Sequence, residues 1–232
     1  MHSDRFVIFD LDGTLADTRG DIAQAVNAGL AAHGLPAAPE GTIVSFVGDG
    51  VGRLVDRTVN AVGGDVALAP QVAKSTVAYY RLHPVDRTRP YPGVDNALAA
   101  LRDAKVDLAV ASNKPTDLCE MILAHYGWAG RFSEVLGADW GGPRKPDPAV
   151  LIEVARRLDR KAAAGVMVGD TVMDLQAGRA ASMRTVAALY GFRPAQELKA
   201  AGPDASVLES TDLLAELTTL VSSQTDDDPG EI

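Results

Sequence analysis

Asp10-Leu11-Asp12-Gly13-Thr14 sets two carboxylates two residues apart, directly after the unbroken apolar run Phe6-Val7-Ile8-Phe9. Four apolar residues are too few for a helix and suit a strand buried on both faces of a parallel sheet. Such sheets take ligands at the carboxyl ends of their strands, where Asp10 and Asp12 emerge, with Gly13 letting the backbone turn. Two carboxylates about 4 Å apart repel by about 4 kcal/mol at an effective dielectric near 20, so a close pair calls for a cation, a shared proton or solvent. A hard divalent cation meets that demand with oxygen ligands. Taken alone, Asp-x-Asp-Gly reads equally well as a turn with helix-capping acids, so the rest of the chain has to decide.

Three further patches are oriented toward the same sheet edge. Val110-Ala111-Ser112-Asn113 closes an apolar strand expected over 106–111. There the Ser112 hydroxyl and backbone N–H groups around Asn113 can hold phosphoryl oxygens, with Pro115 opening a helix behind them. Arg144-Lys145-Pro146-Asp147-Pro148 supplies two adjacent cations. Gly169-Asp170-Thr171-Val172-Met173-Asp174 ends a strand and begins a helix, putting Asp170 and Asp174 one helical turn apart and within reach of one cation. Phosphate-ester hydrolysis needs a positioned nucleophile, positive charge around the phosphoryl oxygens and a proton for the leaving oxygen. Asp10, at the end of its strand, is placed to attack phosphorus.

Together these four patches resemble the ordered motifs of the haloacid dehalogenase superfamily, over nearly the whole chain up to about Val221, and in detail its phosphoglycolate phosphatase branch. The resemblance implies Asp10 as nucleophile and Asp12 as the acid and base that serves first the leaving alcohol and then water. It implies Ser112 as phosphate ligand and Lys145, in Lys-Pro-Asp-Pro, as the cation that offsets Asp10 and the phosphoryl group, with Arg144 the competitor. Mg2+ is expected on the Asp10 carboxylate, the Asp12 carbonyl and Asp170, with Asp174 supporting the site. Dehalogenase branches lack the second Asp, so Asp12 argues for phosphoryl chemistry. Lys114 receives no role.

These residues need a scaffold. From Val94 onward helical and strand patterns alternate, as in a parallel sheet: helix 94–104, strand 106–111, helix from Pro115, strand 134–137, helix 148–158, strand 165–169, helix 171–181, strand 184–189. Segments 194–201, 205–208 and 211–221 complete the layers. Between strand one and that series, 21–33, 51–62 and 68–82 carry helical periodicity, 43–47 forms a short segment, and no strand is evident. The expected architecture is therefore a three-layer, Rossmann-like α/β core over 1–17 and 90–221, with a helical cap over 18–89. Residues 222–232 are read as a disordered acidic tail. Within the cap, Gly48-Asp49-Gly50-Val51-Gly52 precedes a helix start and resembles the specificity loop of phosphoglycolate phosphatases. Gly48, Gly50, Arg53 and Arg57 are accordingly the candidate substrate readers.

Of a formal charge of −9, four units lie in the last nine residues, which leaves −5 on the remainder. An acidic chain without a basic stripe is a poor nucleic-acid binder. No apolar run approaches the roughly 18 residues of a membrane span. The amino terminus shows no apolar signal region, and the single Cys119 forms no internal disulfide, so a cytoplasmic protein is expected, with Cys119 a packed helix residue. His33, His83 and His125 have no metal-ligand spacing. The function expected is Mg2+-dependent hydrolysis of a small phosphate ester, with 2-phosphoglycolate foremost. A pyrophosphatase, a sugar-phosphate phosphatase or a β-phosphoglucomutase-like enzyme would share the core. A phospho-accepting regulatory module is the rival from another class, disfavoured by the motif order and the inserted helices.

Overall fold

The computed structural model describes residues 5–222. Residues 223–232 of the expected tail lie outside them. Six parallel strands form the main sheet in the order β5-β4-β1-β6-β7-β8: β1 (Phe6–Phe9), β4 (Asp107–Ala111), β5 (Glu134–Leu136), β6 (Gly165–Gly169), β7 (Arg184–Ala188) and β8 (Ala205–Val207). β1 lies between β4 and β6, with Phe9 level with Val110 on one side and Val168 on the other. This register brings the ends of three motif-bearing strands to one line.

Alternation along β1 divides the core into layers. Val7 and Phe9 pack with Leu98 of α5 (Val94–Asp103), Ile122 of α6 (Thr116–His125) and Leu217 of α10 (Leu213–Ser222). Phe6 and Ile8 pack on the opposite side with Leu151 and Val154 of α7 (Ala149–Arg157) and Ala177 of α8 (Val172–Ala180). Helices on both faces explain why these strands are continuously apolar rather than alternating polar and apolar.

Four helices, α1 (Arg19–Ala32), α2 (Glu40–Ser45), α3 (Val51–Ala61) and α4 (Ala69–Leu82), intervene between β1 and β4 and share their own apolar cluster, including Val26, Leu30, Ile43, Val55, Val59 and Val72. The sequence pattern shows no strand near this module, but a two-residue antiparallel pair closes it: β2 (Ala16–Asp17) against β3 (Arg89–Pro90), Ala16 opposite Pro90. Two residues carry no detectable periodicity, so only the long-range pairing reveals them. A buried carboxylate ties the same junction. Asp21 accepts the backbone N–H groups of Arg87 and Thr88 and the Thr88 hydroxyl at 2.6–3.1 Å. Elsewhere the boundaries shift by a residue or two. Pro115 caps α6 instead of entering it, and α2 begins at Glu40, before the expected Ile43. The remaining helix, α9 (Ala195–Ala200), lies close to its expected place. Among the described residues, no helix is long and apolar enough to cross a membrane.

Candidate active site

At the carboxyl edge, Asp10 continues the β1 ladder by donating its N–H to Val168 O at 2.9 Å, which fixes the carboxylate beyond the sheet. Single carboxylate oxygens of Asp10, Asp170 and Asp174 lie within 4.8 Å of one another, all three residues being buried. Such crowding persists only with compensation, and the compensation is unequal. Asp174 is fully engaged. Its Oδ1 accepts from Lys145 Nζ at 2.6 Å, and its Oδ2 accepts from the Thr171 N–H and hydroxyl at 3.0 and 2.6 Å in a reciprocal helix cap. Asp170 Oδ2 accepts the Phe192 N–H at 2.7 Å. Asp170 Oδ1 and Asp10 Oδ1 are buried without a hydrogen bond, although Lys145 Nζ stands 3.2 Å from the latter.

Asp170 Oδ1, a buried acceptor without a donor, beside Asp10 Oδ1, whose neighbouring cation is Lys145 at 3.2 Å, fits a hard cation, and the acids present match the oxygen donors that Mg2+ takes. The charge balance agrees. Asp10, Asp12, Asp170 and Asp174 face two ammonium groups, Lys114 and Lys145, leaving a formal −2 in a buried cluster. Burial, reinforced by Asp174 and Asp12 against the pull of Lys145, pushes the Asp10 carboxyl up to about 6. Burial and the charges of Asp10 and Asp174 hold the Asp170 carboxyl well above the usual range.

Lys145 is the inward cation. Its Nζ also donates to Ala111 O at 2.6 Å, and although burial alone would lower the ammonium, Asp10 and Asp174 raise it. Arg144 is exposed. Pro146 and Pro148 hold the loop, and the Asn113 side chain clamps it, accepting the Lys145 N–H at 3.1 Å and donating to Lys145 O at 3.0 Å and Gly48 O at 2.8 Å. Asn113 thus lines the cleft, but its side chain is spent on joining two loops, which leaves only its backbone for a substrate. Ser112 also lines the cleft beside Asp10.

Asp12 is held by groups the motif reading passed over. Lys114 Nζ donates to both its oxygens at 2.8 and 3.0 Å, and Thr18 donates its hydroxyl to Oδ1 at 2.7 Å. Thr18 stands where a helix-capping hydroxyl would, yet serves Asp12 and makes no cap bond. Lys114 also donates to the Tyr80 hydroxyl at 2.9 Å, bridging the core and α4. Ser-Asn-Lys-Pro put Lys114 in the correct turn, but no local signal tells of partners 102 and 34 residues away. Gly191 was equally silent. A Cβ there would strike Asp170 and the Gly13 carbonyl, so its lack of a side chain is what lets the Phe192 N–H reach Asp170.

The cap candidates separate. Gly48 and Gly50, both at positive φ, line the cleft with Val47, Val51 and Leu54. Arg53 is exposed, Arg57 is paired with Asp49 at 2.5 Å, and neither lines the cleft. On α3 the inward positions are Leu54, Val55, Thr58 and Val59, so the helical phase turns both arginines outward. Arg53 and Arg57, expected as substrate readers, therefore do not line the cleft.

A parallel α/β sheet whose edge gathers four acids, a hydroxyl and two buried lysines defines a hydrolase of the phosphoryl-transfer kind. The sequence profile of haloacid dehalogenase-like hydrolases matches residues 7–188, and this chain belongs to that family, in its phosphoglycolate phosphatase-like branch. It is similar to the phosphoglycolate phosphatase of Psychrobacter arcticus, 38% identical over 207 residues spanning 86% of this chain and 89% of that one. A plasmid-borne phosphoglycolate phosphatase of Cupriavidus necator is 38% identical over 218 residues, 92% of each chain. The crystal structure of a predicted phosphoglycolate phosphatase from Haemophilus somnus superposes with a TM-score of 0.84 at 28% identity, covering 92% of this chain and 97% of that one. The chain is an enzyme, which sets aside the regulatory-module rival.

Proposed function

We propose that the protein is a Mg2+-dependent phosphatase that hydrolyses 2-phosphoglycolate to glycolate and phosphate through an aspartyl-phosphate at Asp10. The observation that carries this reading is the pair of buried carboxylate oxygens without a hydrogen bond, Asp10 Oδ1, ion-paired with Lys145 at 3.2 Å, and Asp170 Oδ1. Asp10, Asp170 and the Asp12 carbonyl would hold the ion, which when bound neutralises phosphoryl charge; Asp174 keeps Lys145 in place. The relatives named for phosphoglycolate support the substrate.

An Asp10 oxygen attacks phosphorus as the bond to the leaving oxygen breaks, and Asp12 delivers a proton to that oxygen. Water then attacks the phosphoryl group while Asp12 takes its proton. The bond to Asp10 breaks, releasing phosphate and restoring the carboxylate. Lys145 and Ser112 hold phosphoryl oxygens, and charge from Lys145 stabilises the transition state. Thr18 and Lys114 fix the orientation of Asp12. Residues 18–89 act as a cap, whose apolar side chains Val47, Val51, Leu54 and Phe192 of the facing loop exclude water from the cleft.

The test is kcat/KM over a panel of phosphorylated metabolites with Mg2+ and after chelation. The reading expects 2-phosphoglycolate to lead and chelation to abolish turnover. A leading sugar phosphate or pyrophosphate would refute the substrate, and full activity without divalent metal would refute the mechanism.

A further inference from the structure

Arg53 and Arg57 do not line the cleft, which leaves a charge to be answered. If the substrate carries a carboxylate besides its phosphate, that anion needs a donor in a cleft whose cap side is mostly apolar, with Ile22, Val26, Val47, Val51, Leu54 and Val77, and whose polar side chains there are Thr76, which donates to Val72 O, and Tyr80. An apolar wall offers a carboxylate nothing in exchange for its water. Among the described residues that line the cleft, Lys114 is the sole basic side chain. Lys145 lies beneath it, occupied by Asp174 and Ala111 O. Arg193 donates to the carbonyls of Ser45 and Val47, and Arg144 is an exposed rim residue.

We propose that Lys114, assisted by the Tyr80 hydroxyl, reads a substrate carboxylate placed one carbon from the phosphate-ester oxygen. This rests on the phosphatase reading above and on the role of Asp12 in it. Asp12 must lie within about 2.6–3.2 Å of the leaving oxygen to protonate it. In a phosphorylated 2-hydroxy acid the carboxylate carbon is two bonds, about 2.5 Å, from that same oxygen. A group that both contacts Asp12 and lines the cleft is therefore within reach of that carboxylate, and Lys114, which lines the cleft, has its Nζ 2.8 Å from Asp12 Oδ1.

The ammonium has three donors, and two of its contacts go to one carboxylate, at 2.8 and 3.0 Å. Giving up the longer one turns a donor toward the cleft and leaves Asp12 still held by the shorter, and by Thr18. Lys114 is only 7% exposed, so the new ion pair would form away from bulk water, where a charge-assisted hydrogen bond is strongest. Tyr80 Oη, 2.9 Å from Nζ and on the cap helix α4, offers a second donor to the same anion. Its ring also lies 4.3 Å from Nζ, steadying the cation. Specificity in this account comes from a residue of the core next to the chemistry, with the cap contributing one hydroxyl.

The experiment compares kcat/KM for 2-phosphoglycolate and for 2-hydroxyethyl phosphate, in which an uncharged CH2OH replaces the carboxylate, in wild type, Lys114→Gln and Tyr80→Phe. The ratio of the two isolates the carboxylate contact, because any disturbance of Asp12 falls on both substrates. Lys114→Gln should lower the ratio about 10- to 100-fold, and Tyr80→Phe about 3- to 10-fold. An unchanged ratio in Lys114→Gln, with both substrates losing in parallel, would overturn the proposal and leave Lys114 as a support for Asp12. Should Lys114→Gln fail to fold, Tyr80→Phe decides alone, and an unchanged ratio there is the refutation. A wild-type ratio near one is a different failure, since it rejects the 2-phosphoglycolate reading itself and the carboxylate reader with it.

Discussion

The core edge and the cap loop were both read from glycine- and charge-rich motifs, and they fared differently once folded. Asp10, Asp170, Asp174 and Lys145 converge on one buried cluster, whereas Arg53 and Arg57 face away from the cleft. Strand geometry accounts for the first result. A residue just past the end of a parallel strand lies at the sheet edge whatever the rest of the chain does, and β1, β4 and β6 are adjacent. Helix geometry accounts for the second. Direction on α3 changes by about 100° per residue, so proximity in sequence to a loop at the cleft says little about which side chains enter it. Which side chains meet at strand ends is thus robust to read, and which side chains of a helix enter a cleft is not.

The largest effect that would break this contrast is at Asp10, the proposed nucleophile. Asp10→Asn should lower kcat by on the order of 10^4-fold or more while leaving the fold intact, measured by steady-state turnover and circular dichroism. Near-wild-type activity would remove the core half of the comparison.

Next comes Lys145→Ala. It strands Asp10 and Asp174 without their cation, so kcat/KM should fall by about 10^2- to 10^3-fold and stability by about 3–5 kcal/mol, read by urea denaturation. Normal behaviour would move the inward cation to Arg144.

Asp170 and Asp174 sharpen the comparison from within. Asp170→Ala should raise the Mg2+ concentration for half-maximal activity by about 10- to 100-fold. Asp174→Ala, which releases Lys145 and the α8 cap, should chiefly lower the melting temperature. Equal metal titrations for the two would contradict the assignment of Asp174 as a supporting group.

The pH dependence of stability is a smaller signal. In the folded, metal-free chain burial keeps the Asp10 carboxyl protonated up to about 6, whereas the unfolded chain loses that proton near pH 4. Folding therefore takes up a proton in between, and this group's contribution to stability falls as pH rises from about 4 through 6 and stays lower above. Asp10→Asn carries no such penalty. Its melting temperature relative to wild type should rise over that window in chelator, and Mg2+ should restore the wild type. A difference that does not vary with pH would refute the burial argument.

The smallest effects belong to the cap. Arg53→Ala and Arg57→Ala should each change kcat/KM by less than about 3-fold, as expected for exposed or surface-paired cations. A selective loss on 2-phosphoglycolate in either variant would return specificity to the cap loop.

What could be read in the sequence follows the range of the forces involved. The apolar runs of β1 and β6, the helical periodicity of α1 and α4, and the Asp-x-Asp and Lys-Pro signals are local, and each appears close to its expected place. The β2–β3 pair, the hold of Lys114 on Asp12, and the approach of Phe192 N–H to Asp170 all join distant segments through one or two contacts. No periodicity encodes them. Lys114 shows this best: its turn was evident, and its partners exist only in the folded chain.

The proposed mechanism stands on a covalent bond between phosphorus and Asp10, at the end of β1. Acid-quenching the enzyme during turnover of 2-phosphoglycolate with Mg2+ and locating covalent phosphate by peptide mass spectrometry would reveal it. Phosphate is expected on the peptide containing Asp10, absent in Asp10→Asn and lost on exposure to hydroxylamine. Covalent phosphate on a residue other than Asp10, or none in either wild type or Asp12→Asn quenched during demonstrated turnover, would contradict it.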